Sequence, residues 1–260
     1  MKRRSFFGML GSAGFLPAAA SGQGVTGRKT RIYLMQRYYL RAGNQLARLH
    51  EYLEKTGMPA LSKVHNGPKI ILEGQIVPHT PELVVILGFQ SVEEFWSVRG
   101  KLNQDGELEK AFEAWQGGAE APFERQENSL LEATDYSPEI VPMDPPPKAP
   151  RLFELRVYHS PNYNQLTHLH ERFAGPEIKI FHRVGVHPVL YASTIIGPNM
   201  PNLTYLTPFD DLASREKAWN AFAADPEWVK VRKESIDQYG QVTKNNLISI
   251  YRAAPYSPIR

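Results

Sequence analysis

Two short segments of this chain set basic, acidic and phenolic side chains two residues apart: Arg37 and Tyr39 in "RYY", and Glu154, Arg156 and Tyr158 in "FELRVYH". In a strand, that spacing puts the members of each set on one face. A guanidinium offers parallel donors to a planar carboxylate, and a tyrosine hydroxyl both donates and accepts. Tyr205, with Tyr191, would join from the middle strands, and Tyr251, with Ser249, from the last one. Such a set would suit a small carboxylate or phenolic ligand, or else a polar network that only holds two sheets together. Secondary candidates are His50 and His170, which fall on the border of an apolar helical stripe. No catalytic residue emerges, since there is no His-Glu-x-x-His, phosphate loop or nucleophile elbow. His168 and His170 point about 200° apart on a helix and cannot chelate one ion together. With no cysteine in the chain, thiolate sites and disulfides are excluded. No metal or cofactor is expected. "GQGVTG" at Gly22–Gly27 fits a dinucleotide-loop pattern, but no strand precedes it.

The elements that would position these residues come in two copies. "NQLARLHE" from Asn44 and "NQLTHLHE" from Asn164 agree at six of eight positions. Gly67-Pro68 against His187-Pro188, Phe89 against Phe209, and "DGELEK" against "DPEWVK" keep the same offset of 120 residues. Arg37 and Tyr39 pair with Arg156 and Tyr158 one residue out of that register. Each copy reads strand, helix, strand, strand, helix, strand, the ferredoxin-like βαββαβ unit. The fold class is therefore α+β, two tandem ferredoxin-like repeats over residues 29–135 and 151–254. Residues 136–150, "YSPEIVPMDPPPKAP", are an extended Pro-rich linker. Helices cover one face of each sheet, so the other faces should meet inside the chain. On that view Phe153, Leu155 and Val157 lie under the helices, and Glu154, Arg156 and Tyr158 enter the lumen with Arg37 and Tyr39. Trp219, Phe222 and Trp228 read as packing residues.

The first twenty residues read as a cleavable export signal. Lys2, Arg3 and Arg4 precede an apolar run and Ala18–Ala20, and Arg3-Arg4-Ser5-Phe6-Phe7 resembles the twin-arginine pattern. The expected location is periplasmic or secreted. Removing residues 1–20 removes three cations and no acid, and takes the formal charge from +3 to 0. That balance gives no basic face for nucleic acid, and no later run is long enough for stable membrane insertion. Association into a homo-oligomer is left open.

"FELRVYH", a helix after a short loop, and "AWNAFAADPEWVKVRKES" resemble the NIPSNAP family of the dimeric α/β-barrel superfamily. The Asp225–Trp228 segment carries most of the likeness. The first repeat departs there, with Gly106 and Leu108 in place of the Pro and Trp. The resemblance implies a pseudo-dimeric α/β barrel and names no reaction. Its relatives range from cofactor-free monooxygenases to haem enzymes. Three readings follow: a ligand-binding barrel, a cofactor-independent oxygenase using Tyr158, Arg156 and His170 (with His170 as the axial ligand in a haem version), and a module that docks a protein through its aromatic helices.

Overall fold

The computed structural model describes residues 29–260. The expected export signal and the Gly22–Gly27 pattern lie outside the described residues. The first repeat contains β1 (Ile32–Tyr39), α1 (Gln45–Tyr52), α2 (Met58–Val64), β2 (Lys69–Ile76), β3 (Glu82–Phe89), α3 (Val92–Leu102), α4 (Gly106–Gln116) and β4 (Arg125–Ala133). The second contains β5 (Leu152–His159), α5 (Tyr163–Arg172), α6 (Ile178–Arg183), β6 (Leu190–Ile196), β7 (Asn202–Phe209), α7 (Leu212–Ala224), α8 (Pro226–Tyr239) and β8 (Asn245–Ala253). A wide π-helical turn joins the first two helices of each repeat, at Leu53–Gly57 and Phe173–Glu177. The starts of β1, β3, α4 and β4 recur 120 residues later, so one offset relates the whole of both repeats.

Local sequence explains the helix starts. Asp105 and Asp225 each accept two backbone N–H groups at the heads of α4 and α8, and Pro226 fills the first helical position, where no N–H is needed. Asp211 and Ser214 form a reciprocal cap on α7. No helix among the described residues is long and apolar enough to cross a membrane.

The two sheets meet edge to edge. The strand order β1-β3-β2-β8-β5-β7-β6-β4 closes on itself, with the junctions β2–β8 and β4–β6 contributed by different repeats. Closure pairs the edges that each half would leave bare. The central strands β1, β3, β5 and β7 are then buried on both faces along nearly their whole length. On β1, Ile32, Leu34 and Tyr38 pack under α1–α4, whereas Tyr33 and Met35 point into the lumen. On β5, Phe153 and Leu155 are luminal, and Tyr158 packs under α5–α8. The expected orientation of β5 is therefore reversed.

One end of the barrel is filled. Tyr33, Ile70, Ile86, Phe153 and Leu206 pack there with Ile140 from the linker and Ile259 from the C-terminal tail. The linker is thus more than a spacer. The other end, at the C-terminal ends of β1 and β5, is open.

Candidate functional site

At the open end lies a cavity of about 480 Å³. The 120-residue offset puts equivalent positions on opposite sides of it, and the two sides differ in chemistry. The first repeat supplies Met35, Arg37, Glu127 and Ser129, with Tyr39; the second supplies Leu155, Val157, Leu247 and Ser249 at the places matching the first four, with Thr194, Asn202 and Thr204. Charge enters the lumen from the first repeat only.

Arg37 Nε lies 3.4 Å from Glu82 Oε1, and Tyr251 donates its hydroxyl to the same oxygen at 2.5 Å. Glu82 is 1% exposed, and its Oε2 has no hydrogen-bond partner among the described residues. Burial pulls the Arg37 pKa down, but Tyr251, Glu82 and Tyr39 outweigh it and leave it raised. Burial also raises the Tyr251 and Tyr39 phenols, so both stay protonated donors. Tyr39 donates to Glu127 Oε2 at 2.9 Å, and the Arg125 guanidinium sits 3.9 Å from its ring centre. Across the lumen, the Asn202 side-chain oxygen accepts from Thr194 Oγ1 at 3.0 Å and Thr204 Oγ1 at 3.1 Å. Its amide donates to Asn199 O at 2.9 Å, which ties the site to the β6–β7 loop. The arrangement presents fixed hydroxyl, amide and ion-paired groups around an open space with apolar walls. Its chemistry suits hydrogen bonding to polar atoms, and among the described residues it holds no nucleophile primed by a base.

Of the residues singled out in the sequence, Arg37, Tyr39 and Tyr251 face the lumen. Glu154, Arg156, Tyr158 and Tyr205 do not. Glu154 is fully buried beneath α7, where it accepts from Arg215 Nε at 2.5 Å, from Trp219 Nε1 at 2.9 Å, and from Arg156. Arg156 lies 3.6 Å over the Trp219 ring and donates to the Tyr158 hydroxyl at 3.0 Å, which also accepts from Tyr205 at 2.7 Å. Burial opposes the Arg156 charge, but Tyr205, Tyr158 and Glu154 together hold its pKa above the usual value. The cause of the misplacement is a register slip. Arg37 aligns with Val157 at the common offset, and Arg156 aligns with Gln36; a shift of one residue turns every side chain to the other face.

The repeated histidines link the repeats. His170 on α5 has Nδ1 at 2.7 Å from the hydroxyl of Tyr136, which follows β4 of the first repeat, and Nε2 at 2.9 Å from Ser193 Oγ. His50 on α1 has Nδ1 at 2.8 Å from the hydroxyl of Tyr256, which follows β8, and Nε2 at 3.2 Å from Glu73. Next along the chain, Ser137 Oγ accepts from Tyr191 N and Ser257 Oγ from Ile71 N, each at 3.0 Å. Each repeat therefore ends in a Tyr-Ser-Pro tail latched onto the other. Both nitrogens of His170 are engaged, which does not fit an axial haem ligand. The tails carry a sequence signal of their own, "YSP" at Tyr136 and again 120 residues later at Tyr256. Glu82, Glu127 and Asn202 give no comparable signal, because each is an ordinary strand residue until the barrel is closed.

Residues 153–258 match the NIPSNAP family model. This NIPSNAP match spans the second repeat, from β5 through the Tyr256 latch. No curated protein matches the chain. Among solved structures, an anthrone oxidase-like protein is similar at 11% identity and a TM-score of 0.53, over 86% of this chain and 92% of that one. A proposed monooxygenase from Fusobacterium nucleatum is similar at 10% identity and a TM-score of 0.54, over 86% and 93%. A NIPSNAP family protein of unknown function from Agrobacterium tumefaciens is 19% identical over 44% of this chain and 97% of its own, with a TM-score of 0.39. The first two likenesses establish the fold, a dimeric α/β barrel formed here within one chain.

Proposed function

We propose that the open end of the barrel binds a small, uncharged organic molecule with phenolic or alcoholic hydroxyl groups. The observation that carries this reading is the 480 Å³ cavity with its ion-paired wall on one side and its Ser, Thr and Asn wall on the other. The volume falls in the range typical of small-molecule sites. Of the two ligand classes suggested by the sequence, the phenolic one fits better. Arg37 already faces Glu82 and Arg125 already faces Glu127 at 3.2 Å, so an incoming carboxylate would meet no unpaired positive charge. A hydroxyl can donate to Glu127 and accept from Ser129, Ser249 or Asn246.

The test is a panel of matched phenols and benzoates, read by thermal shift and calorimetry. Phenols should bind, and Leu247→Trp, at a half-exposed position on the rim, should weaken them by about tenfold or more through lost space. Binding of benzoates in preference to phenols, or no binding by any member, would overturn the reading. The cofactor-independent oxygenase remains the neighbouring reading through the fold alone. Oxygen uptake with a bound hydroquinone would show a reaction beyond binding.

A further inference from the structure

The two repeats offer an internal control, because the same βαββαβ unit is packed twice with different residues. In the first, the layer between sheet and helices is apolar near the wide turn. Tyr52, Phe112 and Phe123 occupy it, with Tyr52 and Phe112 ring centres 6.0 Å apart and Tyr38 and Phe123 5.9 Å apart. At the offset of 120, the second repeat has Arg172, Arg232 and Thr243 in those places. A pocket of about 120 Å³ opens there, lined by Arg172, Glu177, Trp228, Arg232, Thr243 and Asn246 among others. Arg172 is largely buried with its partner Glu177, whereas Arg232 reaches the pocket from the exposed side of α8.

The charges do not cancel. Arg172 donates to Glu177 at 2.7 Å, with 10% and 2% of the two side chains exposed, and Glu154 is shared by Arg156 and Arg215. Arg232 has no ion-pair or hydrogen-bond partner among the described residues, although it lines the pocket. Three arginines against two glutamates become four when Arg232 is included. Trp228 and Phe222, with ring centres 4.4 Å apart, supply an apolar wall, and the Arg172 guanidinium lies 5.2 Å from the Trp228 ring. The volume has room for roughly four waters at ~30 Å³ each, hence for an anion of four or five non-hydrogen atoms.

We propose that this pocket is a second binding site, distinct from the lumen, which takes a small aliphatic carboxylate between Arg172 and Arg232 with its alkyl end against Trp228. It opens on the helix side of β5 and shares one lining residue, Asn246, with the lumen cavity. The proposal does not depend on the lumen ligand.

The experiment is ligand-observed NMR on the intact protein with acetate and propionate, and with acetamide and propionamide as uncharged matches. The carboxylates should bind and the amides should bind at least tenfold more weakly. Arg232→Gln, on the exposed side of α8, should weaken the carboxylates about tenfold, in line with loss of a charge-assisted hydrogen bond. Arg232→Phe, which copies the first repeat, should abolish binding. Arg37→Met should leave carboxylate binding unchanged, which separates this site from the lumen. No binding by the wild-type protein, equal binding of acid and amide, loss of binding in Arg37→Met alone, or wild-type affinity in Arg232→Gln would each overturn the proposal.

Discussion

Glu154 shows how a residue's surroundings decide its meaning. It is fully buried, and three donor side chains converge on it. The first repeat places Leu34, Gln36 and Phe95 where the second has Glu154, Arg156 and Arg215, and all three are buried there. Glu154→Leu alone strands two guanidinium groups and should cost about 3–5 kcal/mol. The triple change Glu154→Leu/Arg156→Gln/Arg215→Phe copies the first repeat and should recover most of that loss, since no orphan charge remains. Chemical denaturation of the three proteins, wild type included, measures both numbers. A small loss for the single variant, or a triple variant no better than the single one, would mean that the network contributes little to packing. The residue types of this cluster were legible in the sequence, but their location was not. An alternating strand normally turns its apolar side to the helices, and that rule decides nothing when both faces are buried. The lumen took Phe153 and Leu155, and α7 brought Arg215 and Trp219 to meet the polar side.

At the level of elements, the 120-residue offset was legible from one octet and a few short matches, and with it the order of strands and helices. The one pair that broke the offset, Arg37 with Arg156, was the one that misled. The tails were hidden for a different reason. A Pro-rich stretch reads as a spacer, and nothing local announces that Tyr136 and Ser137 dock on the neighbouring repeat. The latch has a pH signature. Burial holds the His170 pKa below the ordinary histidine value of 6.5, so the unfolded chain takes up a proton there before the folded protein does. Stability from this group is complete above pH 6.5 and falls as pH drops from 6.5 toward the lowered folded value, by up to ~1.4 kcal/mol per pH unit for one proton. His65 and His182, also lowered chiefly by burial, act in the same direction. His170→Gln should therefore reduce the acid slope without removing it. Denaturant midpoints between pH 7 and 5 report the slope, and an unchanged slope would show that His170 is equally protonated in both states.

The whole molecule depends on each half completing the other. The first repeat by itself exposes the unpaired edges of β2 and β4, and bares Tyr33, Met35, Ile70, Leu72, Val84 and Ile86 on its luminal face. Its tail loses His170 and the Tyr191 amide, the groups that receive Tyr136 and Ser137. The same repeat carries His50 and Ile71 at the equivalent positions, which receive the tail of the second repeat in the intact chain. A fragment of residues 29–147 therefore has what a second copy of itself needs: two bare edges, an apolar face, a tail and a receptor for that tail. It should form a homodimer in which Tyr136 of each copy meets His50 of the other, with the barrel closed by two β2–β4 junctions. Sedimentation should show a dimer, and Tyr136→Phe should shift it toward monomer by removing one hydrogen bond at each of two symmetric sites, about 0.5–1.5 kcal/mol apiece. Luminal side chains would differ from the intact protein in one respect that decides the chemistry. Both sides of the mouth would carry Arg37, Glu82 and Glu127, and the neutral wall of Thr194, Asn202 and Thr204 would be gone. Each Arg37 would face Glu82 and each Arg125 would face Glu127, so four carboxylates would meet four arginines and the fragment dimer should be largely indifferent to added salt. A well-folded monomer would show that neither the edges nor the latch require a partner, and a dimer that strengthens with added salt would show that the charges of the two walls do not cancel.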